Sequence, residues 1–91
     1  MDVVHDREKN HFRVSLDGAD AVLEYGESDG MIEFFHTEVP QAHEGKGVGS
    51  AMAREALEYA KQQKLRVVPT CAFVSSWLER HPEYADLVEA D

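Results

Sequence analysis

Ninety-one residues with a formal charge of −9, 43% hydrophobic and 30% charged, fit one small globular domain with a modest core. That acidity argues against a general nucleic-acid binder, which needs a basic face, and no apolar run nears the roughly 20 residues that span a bilayer. The N-terminus has neither the basic region nor the apolar stretch of a secretory signal, and one cysteine, Cys71, rules out an internal disulfide framework, so a cytoplasmic location is expected.

Asn10 to Leu16 alternates apolar and polar residues, as a half-buried strand does, and Asp17-Gly18 reads as a tight turn. Ala21 to Tyr25 is a second strand, closed by the segment Gly26 to Gly30. Met31 to Val39, rich in aromatic and β-branched residues, is a third. Short connections between the three predict an antiparallel meander.

The period changes from about Gly47 to Lys64, where Val48, Met52, Ala53, Ala56, Leu57, Tyr59 and Ala60 share one broad arc of a helix. Leu65 to Pro69 is a short strand, and the helix supplies the crossover for parallel pairing with the third strand. Ala72 to Arg80 reads as a second helix stopped by His81-Pro82, and Pro82 to Val88 as a short final turn. The expected architecture is α+β, a mixed sheet with packed helices, spanning residues 1–91 with its core at about 10–88.

Between the third strand and the long helix lies Val39-Pro40-Gln41-Ala42-His43-Glu44-Gly45-Lys46-Gly47-Val48-Gly49-Ser50. Three alternate glycines can bring bare backbone close to a ligand, and the helix start adds unpaired N–H donors and a partial positive charge. The turn is a candidate anion cradle; tight strand-to-helix packing alone would also call for it. It is not a P-loop, because no Gly-Lys-Ser/Thr follows the first glycine at the required spacing.

These residues resemble the acetyl-CoA-binding motif of the GCN5-related N-acetyltransferases. Gly47 and Gly49 match its glycines, while Glu44 stands where the motif carries Arg or Gln. With the Phe35-His36-Thr37-Glu38-Val39-Pro40 and Val68-Pro69-Thr70-Cys71-Ala72-Phe73-Val74 segments and the short length, the chain is similar to the minimal YjdJ-type branch. The resemblance implies a cofactor, acetyl-CoA, whose pyrophosphate lies on the amides of Gly45, Lys46, Gly47, Val48, Gly49 and Ser50. Its pantetheine arm would run along the third strand past Thr37 and Glu38, with the Val39 N–H acting as an oxyanion donor.

His36 and Cys71 fall at the ends of two strands expected to be parallel neighbours, which delivers both to one edge of the sheet. A histidine titrates near pH 6.5 and can deprotonate an amine; a thiol at a helix start can protonate a departing thiolate or accept the acyl group. Either residue could instead be structural. Glu38 is a reserve base, and Phe73 and Trp77 are core or pocket-border residues. His5, His11, His43 and His81 show no metal-ligand spacing, so no metal is expected.

The leading expectation is an acetyltransferase acting on an amine acceptor, a monomer or weak homodimer, with no nucleic-acid or membrane partner. The rivals are a CoA-binding or regulatory module without turnover, and a plain interaction domain.

Overall fold

The computed structural model describes residues 1–89. Five strands form one sheet in chain order: β1 (Val4–Asp6), β2 (His11–Leu16), β3 (Ala19–Ser28), β4 (Met31–Glu38) and β5 (Arg66–Val68). The first four pair antiparallel, and β5 joins β4 in parallel through the crossover of helix α1 (Val48–Gln62). Helix α2 (Ala72–Glu79) and a 3-10 turn at Pro82–Leu87 complete the fold. Val88 then bridges to Val67 on the outer side of β5.

The turn Asp17-Gly18 lies where expected, with Gly18 at φ 80°. β3, however, continues to Ser28, and only Asp29 and Gly30, at φ 52° and 77°, make the next hairpin turn. Two left-handed residues match the right-handed twist of the strands they join. Gly26 is therefore a strand residue. A Cβ there would stand 3.0 Å from the Phe35 ring, so its bareness makes a platform for that ring.

Paired residues share a sheet face. Phe12, Val14, Ala21, Leu23, Tyr25, Ile32, Phe34 and Val67 form the inner face and are buried. α1 lies on them with Ala53, Ala56 and Ala60 fully buried, small side chains that let the helix axis approach the sheet closely. α2 packs against α1 on the same side, with Trp77 fully buried and its indole N–H donating to Ser50 Oγ at 2.8 Å. One apolar cluster links both helices to the inner face. The thinnest dimension of the molecule is 19 Å, the depth of one sheet and one helix layer.

The alternation slips once. Tyr25 pairs with Phe34 but Glu24 pairs with His36, so Phe35 is an extra residue, a β-bulge. Ile32 and Phe34 face inward before it; Thr37, opposite Leu23, faces inward after it. Phe35, over Gly26, and His36, beside Glu24, both lie on the outer face.

Candidate active site

β4 and β5 pair only from Met31↔Arg66 to Glu33↔Val68. One more bond, Cys71 N–H to the Phe34 carbonyl at 2.8 Å, closes the ladder. Beyond Phe34, no strand among the described residues lies beside the β5-side edge of β4. A cleft of about 410 Å³ opens there, lined by Thr37, Val39, Gly47, Gly49, Phe73 and Arg80, with His43, Glu44, Gly45, Val48 and Ser50 completing its wall.

The chain leaves β4 at Pro40, makes a 3-10 turn over Gln41–His43, and enters α1 through two left-handed glycines, Gly45 (φ 79°) and Gly47 (φ 83°). Gly47 is the N-cap and offers no side chain to the helix start. The first helical bond runs from Ala51 N–H to the Gly47 carbonyl at 3.0 Å, so the amides of Val48, Gly49 and Ser50 lie ahead of the ladder. Gly49 has another reason to be bare: a Cβ would stand 2.7 Å from the Phe73 ring. The Ser50 hydroxyl already accepts from Trp77, which leaves its proton for a further acceptor. Bare amides, the positive end of α1 and Arg80 in the lining are features that suit an anion.

The residues singled out from sequence divide into four sets. Thr37, Val39, Glu44, Gly45, Gly47, Val48, Gly49 and Ser50 all line the cleft. Lys46 lies within the turn but is exposed and off the wall. Cys71 is buried at the N-cap of α2, outside the lining, with Sγ 3.2 Å from Thr37 Oγ1. His36 and Glu38 pair with each other on the outer face, Nε2 to Oε1 3.2 Å, both well exposed.

His36 and Cys71 therefore reach the same end of the sheet from opposite faces, and the bulge is the reason. Had the strand alternated regularly through Phe35, His36 would have continued the inward series of Ile32 and Phe34. The sequence carries only a trace of the slip, the change of parity from Ile32 and Phe34 to Thr37 and Val39, which takes its meaning from the pairing with β3. Arg80 and His43 were not foreseen. Arg80 follows Phe73 by seven residues, two helical turns, which places both on one stripe of α2 and its cap.

The opposite end of α1 is closed. His5 stacks on Phe12 at 4.1 Å, meets the Tyr59 ring edge-on at 4.5 Å, and has Nε2 2.5 Å from the Tyr25 hydroxyl. Burial, with Arg7 nearby, holds the His5 pKa below its usual value. Burial and the hydrogen bond to Glu27, 2.6 Å, push Tyr59 up to about 12. These groups act in packing.

A mixed sheet whose parallel pair parts beside a Gly-rich helix start is a GCN5-related N-acetyltransferase architecture. Residues 11–87 match the family model described as GCN5-related N-acetyl-transferase. The chain is 36% identical over 84 residues to Protein NATD1 of Bos taurus, covering 88% of this chain and 74% of that one. It is 34% identical over 86 residues to Protein NATD1 of Gallus gallus, covering 90% and 77%. The fold superposes on the solution structure of a GCN5-like protein from Staphylococcus aureus with a TM-score of 0.76 and 25% identity, covering 99% of this chain and 89% of that one. The chain belongs to the GCN5-related N-acetyltransferase family.

Proposed function

We propose that this protein transfers an acetyl group from acetyl-CoA to an amine, with the cofactor on the inner side of the β4–β5 opening and the acceptor on the outer side. The observation that carries this reading is the bare α1 N-terminus, entered through left-handed Gly47, beside the strandless edge of β4. The residues suit a diphosphate on a linear arm: a Cβ at Gly49 would meet Phe73, the amides of Val48 to Ser50 precede the helical ladder, and the β4 edge can pair with extended amides. When bound, acetyl-CoA supplies an activated thioester.

The amides of Gly45 to Ser50, with Arg80, would hold the pyrophosphate. The Val39 N–H, at the cleft wall, would donate to the thioester oxygen on which negative charge develops. His36 takes the proton from the attacking amine as the N–C bond forms, with Glu38 steadying the ring. Cys71, its thiol held by Thr37, would supply the proton that the departing thiolate needs as the C–S bond breaks. Base and acid on opposite faces of the opening suit two substrates that approach from opposite sides. Turnover should rise with pH, because only the neutral amine attacks.

Thermal unfolding with acetyl-CoA tests the reading first. At 100 times its dissociation constant the ligand adds about 2.7 kcal/mol, on the order of 10 °C or more for a domain of this size. That shift should vanish in Gly47→Glu, where the left-handed φ is strained for any side chain. No shift at millimolar ligand would discard the cofactor site. His36→Ala should then lower turnover by about a hundredfold or more while leaving the thermal shift intact.

One observation favours a second reading, a CoA-binding module without turnover: neither His36 nor Cys71 lines the cleft. Acetyl-CoA binding without CoA release across a panel of amines would select it.

A further inference from the structure

Both helices pack on the inner face of the sheet, and among the described residues no element covers the outer face. Its centre is apolar. The Phe35 ring lies over Gly26 and is 50% exposed, with Met31, Val68 and Val22 partly exposed around it and Val4 exposed at the far edge. Beside Phe35 a second cleft of about 450 Å³ is lined by Gly26, Glu27, Asp29, Glu33, Phe35 and Val68.

The face is also one-sided in charge. Asp20, Glu24, Glu33 and Glu38 lie on it by strand register, and Asp29 stands at its rim. Its two cations are engaged: Arg13 with Asp6 at 3.1 Å, and Arg66 with the Asp86 and Val88 carbonyls at 2.7 and 2.6 Å and with Glu89 at 3.8 Å. No Lys or Arg among the described residues forms an ion pair with Asp20, Glu24, Asp29, Glu33 or Glu38.

We propose that this uncovered face is a docking surface for a Lys/Arg-bearing polypeptide segment, whose lysine would enter the β4–β5 opening beside His36. The last clause rests on the acetyltransferase reading; the docking itself does not. Charge complementarity selects the occupant. A second copy of this chain would bring two like-charged faces together, each on a protein of net charge −9. A small neutral amine has no use for carboxylates spread over four strand positions. The acidic groups also surround an apolar centre in two dimensions, across β3 and β4. A linear polyamine could follow one row of charges, but it has no side chains to cover Phe35, Met31 and Val68. A peptide has both, and an aromatic face adds attraction for a cationic side chain.

The test is a nitrogen-15 NMR titration of the full chain with a short blocked Lys-Ala peptide, its Glu-for-Lys counterpart, and spermine. The Lys peptide should shift amides of β3 to β5 and weaken about tenfold or more as salt rises from about 50 to 300 mM. The Glu peptide should do nothing. Glu24→Lys combined with Glu33→Lys should cut Lys-peptide binding at least tenfold, and Phe35→Ser should cut it further while thermal unfolding shows the variants folded. Tighter binding of spermine to the same amides, shifts confined to α1 and α2, self-association through this face, or no shift at millimolar peptide would each overturn the proposal. Because acetyl-CoA is absent throughout, the outcome is independent of whether the protein turns over. If the variants do not fold, the contrast among the three ligands on the unaltered chain still decides.

Discussion

The two ends of α1 are built on opposite principles. At its C-terminal end the helix closes a box of rings, with Tyr59 against His5, Phe12 and Tyr25, and both tyrosine hydroxyls of that box are hydrogen-bonded. At its N-terminal end the helix presents backbone, with no side-chain cap and two glycines held left-handed. The closed end supplies the stability that lets the other end stay open. A small domain has little stability to spare, so spending none of it on capping the open end is itself a functional signature.

That contrast can be broken most forcefully at the closed end. Phe12→Ala empties a site 2% exposed and should cost about 3–5 kcal/mol by denaturant unfolding. A loss under about 1 kcal/mol would show that the ring box does not anchor the fold. Gly49→Ala probes the open end: the new Cβ meets Phe73, so a cost of about 1–3 kcal/mol is expected. It should also weaken acetyl-CoA at least tenfold, measured by calorimetry. Unchanged binding would show that the approach of α2 to the helix start serves packing alone. Gly47→Ala has free space around its Cβ, so only the left-handed penalty of about 1–2 kcal/mol should appear.

The smallest expected effect is a slope. Burial lowers the His5 pKa, so the unfolded chain binds a proton more readily than the folded one. The contribution of neutral His5 is fully present above the unfolded pKa of about 6.5 and is lost as pH falls through the lower folded value. Stability measured from pH 7 to 5 should therefore decline, and His5→Phe should flatten the decline. An identical slope in both proteins would assign it to other groups.

How much of this was legible in the sequence depends on whether a feature is local. The meander, the crossover helix and the parallel β5 follow from periodicity and short connections, and the glycine turn from its composition. β1 escaped because Val4–Asp6 is only three residues, too short to show an alternation. β3 was cut short because Gly26 reads as a breaker, and its role as a platform depends on Phe35 from the next strand. The bulge had the largest consequence. It is one residue in the chain, yet it decides which face His36 occupies, and only the pairing of β3 with β4 reveals it. At the site, the backbone elements were readable and the side-chain facing was not.

The bond from Trp77 to Ser50 carries a practical consequence. Trp77 is the chain's sole tryptophan, fully buried, stacked on His81 at 3.8 Å, and its indole N–H ends on a hydroxyl in the cleft wall. Any group that takes up the Ser50 proton changes the polarity felt by the one indole fluorophore. The molecule thus contains its own optical gauge, and occupancy of the cleft can be followed by emission colour in the unlabelled protein.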